Sequence, residues 1–135
     1  MTLLVDTNAF FLSETTLKHA VEQGKKLTTN PIVLYEVVKV CEEETQFTED
    51  EERITLLHQV KTRLPELLER LDISTPPLEV SPSDLKQAYS TMAGKDVDIG
   101  DALIYIDMRK RGVTEILTQD RDFERLDVTI YAVGS

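Results

Sequence analysis

Hydrophobic and polar positions alternate in blocks that read as strands and helices in turn. Leu3-Leu4-Val5 is an unbroken run of β-formers, followed by a turn and a helix that ends at Gly24, a residue suited to the position after a helix. Lys26–Thr29 predicts a second short strand. Asn30-Pro31 then supplies an N-cap and a proline in the first helical position, predicting a helix over about 31–45. Ile54, Leu57, Val60, Leu64, Leu67 and Leu71 recur every three or four residues, so 49–71 also reads as helical, with Pro65 expected to split or kink it into a helical hairpin. Residues 72–77 read as a short edge strand closed by prolines. Ser81, Pro82 and Asp84 form a capping box for a further helix, and Asp98–Arg111 forms another, stopped by Gly112. Glu115–Thr118 and Val128–Val133 predict the last strands, with a helical turn at 121–126 between them.

Strands separated by helices argue for an α/β fold in which helices cover both faces of a central parallel sheet of four or five strands. Cover on both faces explains why the strand runs are continuously apolar. The length of 135 residues and the absence of linkers or repeats suit a single domain over 1–135. In such sheets ligands bind beyond the carboxyl ends of the strands. Asp6 stands at the end of the first strand and Asp120 just past the end of "EILT", so two strands deliver carboxylates to one edge.

Two helices add acids where apolar residues belong. Glu36 falls within the stripe of Val33, Val37, Val40 and Cys41, and Asp101 shares a face with Ile104, Tyr105 and Met108. A charge in such a stripe is costly without a partner. Two carboxylates about 6 Å apart repel by roughly 3 kcal/mol at an effective dielectric of about 20. Four together cost on the order of 10–17 kcal/mol, comparable with the ~5–15 kcal/mol stability of a whole domain. No lysine or arginine in either stripe is placed to neutralise them, so protonation or a hard divalent cation, Mg²⁺ or Mn²⁺, must.

Composition narrows the function. An excess of 25 acidic over 15 basic residues, a net charge of −10, opposes steering toward a polyanion, so a nucleic-acid role requires local basic groups and cations. Much of the excess lies in "EEETQFTEDEER" (42–53), which reads as a solvated helix end and loop. One cysteine, Cys41, excludes an internal disulfide and a cysteine-based zinc site and fits a reducing cytoplasm. No signal peptide and no membrane span are expected. His19 and His58 lie in helical segments away from the acids and read as surface or structural histidines.

"LLVDTNAFF", "PIVLYEVV" and "DIGDALIYIDMRKRGVTEILTQDRDFERL" together resemble the PIN domain, and especially its VapC-like toxin branch. The resemblance implies a three-layer α/β/α fold and a metal-dependent ribonuclease whose four acids fall on Asp6, Glu36, Asp101 and Asp120. Asn8 and Thr118 match the polar helpers that hold those carboxylates, and Asn8 is expected to hold Asp6. Asp122 is an alternative to Asp120. Asp98 reads as the N-cap of its helix with a second role near the metal open to it. Asp107 is expected at the surface or in a salt bridge. Arg121, beside Asp120, is the favoured phosphate contact, ahead of Lys39 and Lys95, while Arg109, Lys110 and Arg111 complement a helix C-terminus.

The implied role is the endoribonuclease toxin of a type II toxin–antitoxin pair, with RNA as substrate, an antitoxin protein as partner docking on 49–71, and a homodimer as the assembly. A free-standing RNA-processing nuclease and a non-catalytic metal-binding interaction protein are the alternatives. A haloacid-dehalogenase-type phosphatase is disfavoured, because Asn8 stands where that family has its second aspartate and cannot protonate a leaving group. A receiver domain is disfavoured too: neither its phospho-accepting aspartate nor its strand-end lysine is evident.

Overall fold

The computed structural model describes residues 1–131. Strands β1 (Thr2–Val5), β2 (Lys26–Thr28), β3 (Glu115–Leu117) and β4 (Thr129–Ile130) form one parallel sheet in the order β2-β1-β3-β4. Helices α1 (Glu14–Glu22), α2 (Pro31–Phe47), α3 (Glu51–Arg70), α4 (Pro82–Lys95) and α5 (Ile99–Arg111) make up the rest, with 3₁₀ turns over Thr7–Phe11 and Arg121–Arg125. Leu3, Leu4 and Val5 point alternately to opposite faces of the sheet yet are all fully buried, so both faces are covered. Four strands are formed among the described residues. The edge strand expected at 72–77 reduces to a single parallel bridge between Thr28 and Ser74, and of the strand expected over Val128–Val133, positions 132 and 133 lie outside the described residues.

Local chemistry sets the helix ends as their residues dictate. The Asn30 side chain accepts from the backbone N–H of Val33, and Ser81 and Asp84 exchange both bonds of the capping box. Asp98 caps α5, and Gly112 ends it in the left-handed conformation, at φ 69°. The expected break at Pro65 does not occur: α3 runs unbroken through it. Pro65 and Lys61 both lie on the exposed face, so water can satisfy the Lys61 carbonyl that the proline leaves without a donor. The helical hairpin is therefore made by α2 and α3 rather than within 49–71, and it is laced by ion pairs from Arg53 to Glu44 and from Lys61 to Glu42.

The apolar face of α3 is largely covered by the chain itself. Leu57 and Leu64 are buried, and Leu67, Leu68 and Leu71 pack partly buried on the core. What remains open beside α3 is a groove of about 220 Å³ bordered by Phe10, Leu17, Val60 and Leu67. No helix among the described residues is long and apolar enough to cross a membrane.

The strand order places the site. Chain progression reverses direction across the sheet at β1 and β3, and such a switch point opens a crevice beyond the strand ends. Val5 pairs in register with Leu117, so the next residues, Asp6 and Thr118, emerge side by side at the carboxyl edge.

Candidate active site

A cleft of about 670 Å³ opens at that edge, and Asp6, Glu36, Asp98, Asp101 and Asp120 all line it. Four separate elements thus bring their acids together as their sequence positions imply: the end of β1, the second turn of α2, the first turn of α5 and the loop after β3. Asp6 and Asp101 are buried, Glu36 and Asp120 half-buried, and Asp98 exposed. Among the described residues no lysine or arginine pairs with any of the five.

Hydroxyls and amides hold these carboxylates in place. Thr118 donates to Oδ2 of Asp6 at 2.7 Å. The same Thr118 oxygen accepts from the Asn8 amide at 3.1 Å and from the Asp120 backbone N–H at 2.9 Å. Asn8 in turn accepts from the backbone N–H of Gln119 at 2.9 Å. Asn8 therefore does not hold Asp6 itself, as its nearness in sequence suggested. It braces Thr118, which does. Thr7, expected only to turn the chain, donates to Oε2 of Glu36 at 2.7 Å. Gly100 makes room for the same side chain, since a Cβ there would lie 2.5 Å from Glu36 Oε1.

Burial and mutual repulsion both raise the cost of ionising these groups. Burial pushes Asp6 up to about 6; Glu36 and Asp120 add to the rise, while the Thr118 hydroxyl and the Thr7 backbone oppose it. Asp101 is pushed up to about 8, first by burial and then by the charges of Asp98, Asp120, Asp6 and Glu36. Its Oδ2 is buried with no hydrogen-bond partner, an unusual state for a carboxylate oxygen.

That orphaned oxygen tests whether a metal fits. Carboxylate oxygens of Asp101, Asp120 and Asp122 lie within 4.8 Å of one another, a hard-oxygen donor set suited to a small divalent cation. Asp122 so remains beside Asp120 as a potential ligand, although Arg125 already pairs with it at 3.1 Å. Asp98 acts as the N-cap, its Oδ1 accepting from the Asp101 backbone at 2.8 Å, and its charge still reaches Asp101.

The remaining sequence-derived residues stand apart. Arg121 is 88% exposed, pairs with Glu124 and does not line the cleft. The cations that do line it are Lys39 and Arg53, the latter hidden in sequence at the end of an acidic run. Asp107 forms a salt bridge, but it is buried rather than at the surface, because Arg111 and Asn30 both reach it inside the fold. His58 is exposed, His19 half-buried, and neither lines the cleft.

Comparison with known proteins agrees with this architecture. Residues 3–128 match the family described as the PIN domain. The comparison with curated proteins finds no match. Among solved structures, the chain is similar to PAE2754 from Pyrobaculum aerophilum, at 16% identity and a TM-score of 0.64 over 96% of this chain and 89% of that one. It is similar to VapBC2 from Rickettsia felis, solved bound to a DNA fragment from its promoter, at 15% identity and a TM-score of 0.63 over 97% and 98% of the two chains. FitAcB from Neisseria gonorrhoeae gives 19% identity and a TM-score of 0.57 over 98% and 97%. With the match extending from the first strand to beyond the last 3₁₀ turn, the chain belongs to the PIN domain family.

Proposed function

We propose that this chain is a metal-dependent endoribonuclease of one domain, the cytoplasmic toxin of a type II toxin–antitoxin pair, hydrolysing RNA phosphodiester bonds with Mg²⁺ or Mn²⁺. PIN domains are generally nucleases, and the similarity in fold to VapBC2 and FitAcB supports an antitoxin protein as partner; a homodimer is the assembly we propose with it. The observation that carries the reading is the buried, unpartnered Oδ2 of Asp101 where four acids converge and, among the described residues, no lysine or arginine pairs with any of them.

Asp6, Asp101 and Asp120, with Glu36 beside them, would hold the cation. When bound, a divalent cation acidifies water and draws negative charge from the leaving oxygen of a phosphodiester. The protein's own contribution is placement. Thr118 fixes the Asp6 carboxylate and links it to the Asp120 backbone, so one hydroxyl joins the acid from β1 to the loop after β3. Thr7 and the space over Gly100 fix Glu36. Asp101, raised to about 8, carries a proton in much of the metal-free protein near neutral pH, and that proton must leave for the carboxylate to become a ligand.

The test is incubation with total tRNA and rRNA in Mn²⁺ and in excess EDTA, followed by mapping of cut ends. Discrete cuts in Mn²⁺, absent in EDTA and absent for Asp101→Asn, are expected. Full cleavage in EDTA or by Asp101→Asn overturns the mechanism.

A further inference from the structure

Two segments of the site carry acids that face one another. The loop after β3 and the 3₁₀ turn over Arg121–Arg125 bring Asp120 and Asp122, and the connection from α4 to α5 brings Asp98 and Asp101. Carboxylate oxygens of Asp101, Asp120 and Asp122 lie within 4.8 Å of one another across this divide. Each segment is set on its own side. Asp120 Oδ1 accepts from the Asp122 backbone N–H at 2.9 Å, and the fully buried Phe123 anchors the turn in the core. Asp96 ends α4, and Asp98 caps α5. Between the two sides like charges repel, and both Asp98 and Asp120 oppose the ionisation of Asp101.

One side chain spans the divide. Arg125 Nη1 donates to the Asp96 carbonyl at 2.7 Å and pairs with Asp122 Oδ1 at 3.1 Å. Among the described residues, no other hydrogen bond or ion pair joins residues 118–126 to residues 96–101. The anchor on the far side is strained. Asp96 has φ 55°, a left-handed conformation that is costly for a residue with a Cβ. Its side chain is fully exposed, so the carbonyl is what Arg125 holds. On the near side, pairing through Oδ1 leaves Oδ2 of Asp122 open to a cation.

We propose that Arg125 is a positioning residue of the metal centre: it clamps the turn bearing Asp120 and Asp122 to the connection bearing Asp98 and Asp101, and so sets the span of the donors. The inference rests on the metal-dependent nuclease reading and deepens it by naming what holds repelling ligands at their places. The rival account is an arginine that merely caps the end of α4. Charge and position make opposite demands. Removing a cation beside a set of acids strengthens their attraction for a divalent ion, whereas losing the clamp lets the acids part and weakens it.

Mn²⁺ binding to the full chain is measured by titration calorimetry without RNA and with oxygen excluded. At about pH 8.5 Asp101, raised to about 8, is largely ionised in every sample. Arg125→Met removes every donor and is expected to weaken binding about tenfold, the lower end of what outer partners of metal ligands contribute. Arg125→Lys can still donate to both groups and is expected to recover most of the loss. The ion pair to Asp122 is 48% and 43% exposed and adds little to stability, so both variants should melt in EDTA within about 5 °C of the wild type. Arg125→Gln, also neutral, carries the same expectation as Arg125→Met should the latter fail to fold. Unchanged affinity in the neutral variants overturns the clamp and leaves a helix cap. Tighter binding overturns it too, because charge then outweighs position. Weakened Mn²⁺ binding in Arg125→Met, with no RNA cut by the wild type, would leave the clamp standing and remove the nuclease reading. Metal-dependent cleavage by the wild type with unchanged Mn²⁺ affinity in Arg125→Met would do the reverse.

Discussion

The amide of Asn30 donates to Oδ2 of Asp107 at 3.1 Å in the buried seam between α2 and α5. At the other end of that seam Glu36 lies against Gly100. Residues 30 and 36 on one helix thus meet 107 and 100 on the other, so the helices run antiparallel and are tied at both ends. Arg111 completes the tie, reaching Asp107 at 2.9 Å, the Thr28 hydroxyl at 2.9 Å and the Thr29 carbonyl at 3.2 Å. The seam sets how the acid of α2 meets the acid of α5.

Asp107→Ala leaves the mostly buried Arg111 guanidinium without its counter-ion and Asn30 without its acceptor. Breaking one side of a buried pair costs about 3–5 kcal/mol, and the partial exposure of Arg111 places the expected loss near the lower figure, about 3 kcal/mol. Chemical denaturation at neutral pH measures it. A loss below about 1 kcal/mol, the value of a surface pair, would show that the seam is not held this way.

Gly100→Ala isolates the other end of the seam. The added Cβ would meet Glu36 Oε1 at 2.5 Å and Asp98 Oδ1 at 3.4 Å, both ends of side chains that can swing away. The fold is therefore expected to persist, with stability unchanged or raised by up to about 1 kcal/mol, because alanine suits a helix better than glycine. Glu36 must leave its place beside Thr7, and a displacement of about 1 Å at a reacting centre costs on the order of a hundredfold in rate. Melting temperature and cleavage rate, measured together, separate the two effects. Wild-type cleavage rates in Gly100→Ala would mean that the exact position of Glu36 is unimportant.

The four acids are legible in sequence because each interrupts an apolar pattern at a place where topology gives it meaning. Asp6 and Asp120 follow strand-like runs, and Glu36 and Asp101 sit in helical stripes. Their supports are not legible in the same way. Thr7 and Gly100 stand inside the motifs that carry the family resemblance, but the sequence does not say what either touches; only the approach of Glu36 from another helix gives each its purpose. Arg53 ends a run of acids that reads as solvated surface, and its place in the cleft depends on α3 folding back along α2. Asp107 forms the expected salt bridge, but its burial was not legible, for a related reason. Its helical angle from Asp101 reads as outward, yet α5 is packed around much of its circumference. The fold class and the strand order's consequences follow from local pattern, whereas these contacts arise from tertiary approach.

Thr118→Val tests the hydroxyl that joins Asp6, Asn8 and Asp120. Valine keeps the shape and β-branching but removes the donor to Asp6 and the acceptor for two N–H groups. The Thr118 bond holds the Asp6 pKa down against burial, so without it that pKa rises above about 6. Cleavage is expected to fall at least tenfold, and the acid limb of its pH profile to shift upward. Thr118→Ser retains the hydroxyl and should restore both. An unshifted acid limb in Thr118→Val would remove Asp6 as the group that limits activity at low pH.

The metal-free protein should lose stability as pH rises, opposite to the usual behaviour of paired carboxylates. Asp6 and Asp101 start from an ordinary value of 3.8 and are raised to about 6 and about 8 by folding. Across those windows the folded state binds more protons than the unfolded state, so the stability of unfolding falls with pH. The loss begins near pH 4, is complete for Asp6 above about 6 and for Asp101 above about 8. Melting in EDTA is therefore expected at a higher temperature at pH 5 than at pH 8. Asp101→Asn removes the larger contribution, so its melting temperature at pH 8 should exceed that of the wild type even though it no longer cuts RNA. Saturating Mg²⁺ favours the ionised acids and should raise the wild type at pH 8 far more than the variant. A wild type in EDTA that is no less stable at pH 8 than at pH 5, with Asp101→Asn following the same curve, would show that the acids are not crowded enough to need a cation.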